Sequence, residues 1–339
     1  MDAKTVCIIG GSGFVGLHLA NRLAAQGYRL RVLTRRSDRG RELRVLPHLQ
    51  LIETDLQDER QLTRHFSGCH AVINLAGIAN ETRSEPFRAV HVDLPRRALA
   101  ACRRAGVPRY LHMSALGADP EGPSRYLQTK GEGEQRVMAA PPAGVAVTSF
   151  RPAVIFGPED RFLNRLARLL RLSPGVVPLP VPRAQAQRLY VGDRERGVVR
   201  APGVRFQPVY VGDVADALVR ALEDPDTAGR SYELCGPQAY TLAELVGYIA
   251  GLRGLRRRAL ALPGWLAKAA AWALGRLPGP PFSVDNYRSG TVPNVCRRNG
   301  LEALGLEPTA LEAVAPAYLG GAGPQAGYAE ARREAGRGA

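Results

Sequence analysis

Tyr126 and Lys130 stand one helical turn apart in the run Tyr-Leu-Gln-Thr-Lys, so on a helix both side chains lie on one face. Only three lysines, Lys4, Lys130 and Lys268, occur among the 339 residues. A phenol has a reference pKa of about 10, and a neighbouring ammonium favours its ionised form and moves it toward neutrality. Such a pair is suited to trading a proton with a carbonyl or alcohol oxygen, while the ammonium also bonds a nicotinamide ribose. Ser114 precedes Tyr126 by twelve residues and brings a hydroxyl that can polarise the same oxygen. Ser114, Tyr126 and Lys130 are therefore the candidate catalytic groups.

Gly10-x-x-Gly13-x-x-Gly16, overlapping Gly11-x-Gly13-x-x-Gly16, follows the apolar run TVCII and opens a helical pattern. Glycines there allow a tight turn, a close approach of a pyrophosphate to the backbone, and packing of the following helix, whose amino end faces the phosphates. At the end of the second strand, sites that take NADH carry a carboxylate for the ribose 2′-hydroxyl. This chain has Thr34-Arg35-Arg36 instead. Arg35 and Arg36 suit a 2′-phosphate, because guanidinium is permanently charged and bidentate. NADPH is expected in preference to NADH. Asp55 after the third strand is placed to bond the adenine amino group, and Ala76-Gly77 after the fourth to let the adenine ribose come close.

The elements that must position these groups follow from the hydrophobic pattern. Strands are expected at 5–9, 29–34, 49–53, 71–75, 109–113 and 145–150, with helices at 14–27, 58–66, 85–105 and 125–139. Alternating strands and helices imply βαβ units and a doubly wound parallel sheet of Rossmann type, α/β in class, with helices on both faces. After Arg151-Pro152 turns grow denser and helices are expected at 160–171, 213–223, 241–252 and 262–276. The division expected is a nucleotide-binding domain over 1–155, completed by part of 205–235, a smaller mixed lobe over 156–320, and a flexible tail over 321–339.

The formal net charge is +15, yet 43 of the 46 basic residues are arginine. Such a skew reads as a general preference for Arg over Lys rather than a designed phosphate-binding face, so nucleic acid is not expected as a partner; anionic lipid suits the charge better. Five cysteines with no CxxC and no short Cys/His spacing argue for a reducing compartment, against a disulfide framework and against a metal site. The six histidines show no partner pattern and read as structural. No secretory signal pattern opens the chain, and a cytoplasmic location is expected.

The segment 255–277, with Trp265 and Trp272 flanked by Arg256, Arg257 and Arg258, is too interrupted to span a membrane. It either lies in a membrane interface or docks on a hydrophobic partner, or else packs as a helix against its own lobe. The tetrapeptide YVGD occurs at Tyr190–Asp193 and Tyr210–Asp213. This repeat marks 183–203 as an insertion, expected as a surface excursion.

Together GGSGFVG, Thr34-Arg35-Arg36, Asp55, Ser114 and Tyr126-x-x-x-Lys130 resemble the extended and atypical short-chain dehydrogenase/reductases. The blocks Arg151–Asn164 (RPAVIFGPEDRFLN), Phe206–Ala215 (FQPVYVGDVA), Tyr232–Pro237 (YELCGP) and Leu306–Leu319 narrow the likeness. They resemble the NADPH-binding accessory subunit family of respiratory complex I, including its bacterial relatives, over about residues 4–319. The resemblance implies a bound NADPH of mainly structural role, contacted by Gly10, Gly13, Phe14, Val15, Gly16, Arg35, Arg36, Asp55, Ala76, Gly77, Lys130 and Pro152. It further implies an accessory or assembly role in a respiratory system, peripheral on the cytoplasmic face of the inner membrane. Retention of Ser114, Tyr126 and Lys130 keeps open a free reductase, epimerase or dehydratase acting on a nucleotide-sugar, quinone or other carbonyl compound.

Overall fold

In a computed structural model the residues described are 4–173, 176–180, 189–191, 203–255, 257–262, 268–269, 272 and 283–320, apart from positions 83, 140 and 142. Seven strands form one parallel sheet: β1 (Thr5–Ile9), β2 (Arg29–Thr34), β3 (Leu49–Glu53), β4 (Ala71–Asn74), β5 (Arg109–Met113), β6 (Ala146–Pro152) and an edge strand, Ser231–Leu234. Their spatial order is Ser231–Leu234, β6, β5, β4, β1, β2, β3, and every pairing is parallel.

Alternation along β1 shows why these residues form a buried strand. Val6 and Ile8 enter one core with Leu19 and Leu23 of α1 (Phe14–Ala25) and Leu218 of the helix Val211–Glu223. Cys7 and Ile9 enter the opposite core with Leu62 of α2 (Glu59–Phe66), Leu99 of α3 (Leu94–Ala105) and Val137 of α4 (Arg125–Ala139). A strand covered on both faces reads as a continuous apolar run. Full burial of one such side chain contributes about 1.5–3 kcal/mol.

The chain leaves β1 in one direction through β2 and β3 and in the other through β4, β5 and β6. The strand order therefore reverses between β1 and β4, and the crevice beyond their carboxyl ends is where a doubly wound sheet binds its ligand.

Arg109 pins the far side of the sheet. Its buried guanidinium donates to the carbonyl of Ala146, the hydroxyls of Thr148 and Thr227, and the carbonyl of Ala221. One side chain thus ties β5 and β6 to the end of the helix Val211–Glu223.

A second core gathers Phe156, Leu163 and Leu170 with Leu245, Ile249, Leu311 and Leu319. Phe156 ends the short strand Ile155–Phe156, and the others come from the helices Phe162–Leu172, Leu242–Leu252 and Leu311–Leu319. One feature of this half was not expected. Residues Arg257–Leu262 form a strand, parallel to Val176–Pro180 and antiparallel to Leu189–Val191. The front of the 255–277 segment is therefore sheet; apart from Lys268, Ala269 and Trp272, the remainder from 263, where the helix was expected, lies outside the described residues. Leu189–Val191, within the expected surface excursion, is an edge of that small sheet, whereas the second YVGD copy ends a strand at Tyr210 and opens the helix Val211–Glu223. The tail over 321–339 lies outside the described residues.

The cysteine expectation also fails. Cys235, after the edge strand, and Cys296, on the returning segment, form a disulfide with Cα atoms 6.1 Å apart. Their separation of 61 residues left no spacing signal. Cys7, Cys69 and Cys102 are free and buried. Burial raises the Cys7 and Cys102 thiols, as apolar surroundings disfavour the thiolate.

Among the described residues no helix is long and apolar enough to cross a membrane, and no group of three or more His, Cys, Asp or Glu is placed to hold a metal ion.

Candidate functional site

The glycine loop crosses the crevice at the carboxyl end of β1. Gly10 has φ +77°, and a Cβ there would lie 3.0 Å from the backbone nitrogen of Ala76, so the first turn and the loop after β4 touch backbone to backbone. A Cβ on Gly16 would lie 2.4 Å from Gly11, which only glycine avoids. Gly13 caps α1 with no side-chain hydrogen bond, leaving the first-turn N–H groups of that helix directed outward. A helix amino end with free N–H groups, framed by glycines, fits a pyrophosphate. Phe14 and Val15 begin the helix.

Ser12 Oγ lies 3.1 Å from Thr34 Oγ1, which also accepts from the Arg36 N–H. The end of β2 is thereby tied to the glycine loop. Arg35 reaches Glu85, and Arg36 reaches Asp38 at 2.8 Å. Both expected phosphate ligands thus hold exposed carboxylate partners in this state. Exposed pairs of this kind contribute about 0.2–1 kcal/mol, a small barrier to exchange for a phosphate. Asp55 lines a groove with Arg35, Glu53, Thr54 and Gln61, and its carboxylate accepts from the Gln57 N–H.

Lys130 connects the remaining candidates. It is 4% exposed, and its Nζ donates to the Met113 carbonyl at 3.0 Å, immediately before Ser114. A Cβ on Gly77 would lie 3.2 Å from that same Nζ. The ammonium therefore bridges the ends of β4 and β5, one turn beyond Tyr126 on α4. Ser114, 3% exposed, has an Oγ with no hydrogen-bond partner. A buried hydroxyl without an internal partner is costly unless a ligand completes it. Pro152, buried at the end of β6, accepts from the Leu116 N–H and so fixes the turn after Ser114.

One chemical expectation is overturned. Burial pushes the Tyr126 phenol up to about 12 rather than toward neutrality, because loss of water disfavours the phenolate. Burial also brings Lys130 down to about 8, with Glu134 opposing. Glu134, two turns beyond Tyr126, is itself paired with Arg151 at 2.8 Å.

Two residues escaped the sequence reading. His91, read only as structural, sits edge-on to Tyr126 with ring centroids 5.5 Å apart and stacks on Phe87. Its Nε2 accepts from the Ile78 N–H and its Nδ1 pairs with Thr129, which defines a neutral tautomer. Burial, then Lys130 and His112, hold it down at about 2. Asp285 accepts from the backbone N–H groups of Arg125 and Tyr126 at 2.7 and 3.0 Å. It stands 159 residues beyond Tyr126 in the chain, and no local pattern pointed to it.

Residues 6–235 match the model of the NAD dependent epimerase/dehydratase family. The chain belongs to that family. Within it, the chain is 31% identical over 313 residues to the mouse protein named NADH dehydrogenase [ubiquinone] 1 alpha subcomplex subunit 9, mitochondrial, covering 90% of this chain and 77% of that one. It is 35% identical over 193 residues to a Caulobacter vibrioides ceramide reductase, covering 57% of this chain and 59% of that protein. A solved dTDP-glucose 4,6-dehydratase of Streptomyces venezuelae, with NAD and DAU bound, superposes with a TM-score of 0.69 at 19% identity, covering 93% of this chain and 95% of the other. The last likeness shows the fold alone. The chain that carries this glycine loop, strand-end serine and tyrosine–lysine helix is thus a Rossmann-type member of the epimerase/dehydratase family with complex I subunit relatives.

Proposed function

We propose that this chain binds NADPH in the crevice between β1 and β4 and acts as an accessory or assembly component of a respiratory NADH:quinone oxidoreductase, peripheral on the cytoplasmic face of the membrane. The observation that carries the binding is the uncapped, glycine-framed amino end of α1 against Ala76. The likeness to the mouse subunit over 90% of this chain supports the respiratory assignment. In this reading Gly10, Gly13, Phe14, Val15 and Gly16 receive the pyrophosphate, Arg35 and Arg36 exchange their carboxylates for the 2′-phosphate, and Asp55 meets the adenine. Ala76, Gly77, Lys130 and Pro152 border the nicotinamide half.

A nicotinamide nucleotide supplies hydride transfer when a carbonyl substrate is beside it. The residues on hand would orient that carbonyl through Ser114 Oγ and give it a proton from Tyr126, whose phenol, held at about 12 by burial, is an acid rather than a base at neutral pH. A second reading, a free NADP-dependent reductase or epimerase, draws on the unpartnered Ser114 Oγ and on the ceramide reductase likeness.

Purified protein separates the two readings. Bound nucleotide is released and identified, then reduced nicotinamide absorbance is followed with added quinones and carbonyl compounds. The accessory role predicts retained NADPH, no turnover with any of them, and recovery of the chain with respiratory-complex subunits. Turnover abolished by Tyr126→Phe, with nucleotide binding intact, would replace that role by the enzymatic one.

A further inference from the structure

Tyr126 occupies the second position of α4, where no preceding helical turn exists to accept its backbone N–H. Ser124 Oγ caps the helix by accepting from the Leu127 N–H at 3.2 Å, which leaves the N–H groups of Arg125 and Tyr126 without an acceptor in their own helix. Both are taken by the carboxylate of Asp285, Oδ1 from Arg125 at 2.7 Å and Oδ2 from Tyr126 at 3.0 Å.

Asp285 belongs to a short helix, Val284–Ser289, that has its own capping box. Ser283 Oγ accepts from the Asn286 N–H, and the Asn286 side chain accepts from the Ser283 N–H. The Asp285 carboxylate is therefore not needed by the helix that carries it.

That short helix is anchored at both sides of the crevice. Ser289 Oγ lies 2.8 Å from Ser124 Oγ at the start of α4. On the other side Ser283 Oγ donates to Asn80 Oδ1 at 3.0 Å, and the Asn286 amide donates to the Ala79 carbonyl at 3.0 Å. Ala79 and Asn80 continue the loop that holds Ala76 and Gly77. The same loop carries Ile78, whose N–H fixes His91 against the Tyr126 ring.

We infer that Asp285 is the positioning residue of Tyr126: it fixes the backbone that carries the phenol, while Phe87 and His91 fix the ring. The inference deepens the proposed nucleotide site and rests on that reading for its functional weight. A phenol on a fraying first turn would wander, and a displacement of about 1 Å at a reacting group costs on the order of a hundredfold in rate. Because Asp285 arrives from the carboxyl-terminal segment, the phenol is in place only when that segment is docked on the crevice.

The test uses the full chain with 3-fluorotyrosine at position 126, in the wild type, Asp285→Asn and Asp285→Ala. Fluorine NMR reads the ring, and amide hydrogen exchange reads the Arg125 and Tyr126 N–H groups. Asp285→Ala is expected to speed exchange at those two amides at least tenfold and to shift or broaden the fluorine line. Asp285→Asn, which keeps one acceptor oxygen, is expected to protect one of the two amides, to speed exchange at the other, and to recover most of the fluorine signal. Exchange and fluorine signals unchanged in Asp285→Ala would overturn the inference. If that variant does not fold, Asp285→Asn decides alone: it must speed exchange at one of the two amides, since its nitrogen cannot accept, and protection unchanged at both would overturn the inference. Titration with NADP⁺ is a separate arm. A wild-type fluorine line that never responds counts against the nucleotide site, while the amide result still judges Asp285.

Discussion

Lys130 Nζ donates to the Met113 carbonyl at 3.0 Å, which holds the ammonium under α4 at the end of β5. The consequence is a buried cation held at about 8 against an ordinary value near 10.4. Below about pH 8 both folded and unfolded chains carry the charge, and the folded one bears the full penalty of burying it. Between about 8 and 10.4 the unfolded chain binds the proton that the folded one has released, so this group's contribution to stability rises with pH. The difference in denaturant stability between Lys130→Met and the wild type should therefore be most favourable to the variant below pH 8 and shrink toward pH 10. A difference independent of pH over that range would show that Lys130 is not buried as described.

His112 makes the same case at acid pH. Both ring nitrogens are buried without partners, and burial followed by Lys130 holds it down at about 3. As pH falls below the unfolded value of about 6.5, the unfolded chain gains a proton that the folded chain refuses, and stability is lost. His112→Leu should be neutral or stabilising at pH 7 and should flatten the decline between about pH 6.5 and 4. Equal acid sensitivity in variant and wild type would contradict this.

Arg109 donates to four acceptors across β5, β6 and the end of the helix Val211–Glu223. Arg109→Ala strands buried hydroxyl and carbonyl groups, a loss of about 3 kcal/mol or more. Urea unfolding measures it, and a change under about 0.5 kcal/mol would sink the assigned role.

The Cys235–Cys296 link closes a loop of 61 residues, for which chain entropy gives about 4 kcal/mol as the upper end. Cys235→Ser in nonreducing buffer, or addition of reductant to the wild type, should lower the unfolding midpoint measurably. Identical midpoints with and without reductant would mean that the bond does not form in solution.

The Arg35–Glu85 and Arg36–Asp38 pairs bear on the choice between the two nucleotides. Replacing both arginines by alanine should weaken NADPH at least tenfold and leave NADH within about twofold, since charge-assisted bonds to a phosphate are worth about 1.5–3 kcal/mol. Calorimetric titration with each nucleotide checks it, and equal losses for both would remove the 2′-phosphate assignment.

β1 to β6 were legible because strands buried on both faces leave apolar runs ended by turn residues, and their observed limits fall within a residue or two of the expected ones. The catalytic candidates were legible because a tyrosine–lysine spacing in a lysine-poor chain is a local signal. What escaped was non-local. Asp285 meets α4 from 159 residues away, and Cys235 meets Cys296 only because the segment after the short helix returns beside the edge strand. The strand Arg257–Leu262 was missed because its apolar residues merge with the tryptophan-bearing stretch that follows. The direction of the Tyr126 shift was misjudged because spacing tells which groups are near and not how deeply the fold buries them.

Gly13 offers the most direct test of nucleotide binding. Its backbone is extended, with φ −88° and ψ 177°, and a Cβ there would meet only the Gly10 carbonyl oxygen, at 3.2 Å. Aspartate at this helix cap would bond the first-turn N–H groups and add on the order of a few tenths of a kcal/mol of stability, while placing a carboxylate where the pyrophosphate must sit. NADPH binding is measured by calorimetry on the wild type and on Gly13→Asp, with thermal unfolding of both. The account predicts micromolar or tighter binding by the wild type and its loss in a variant that unfolds no earlier; a wild type that binds no nucleotide, or a folded Gly13→Asp that binds as well, would contradict it.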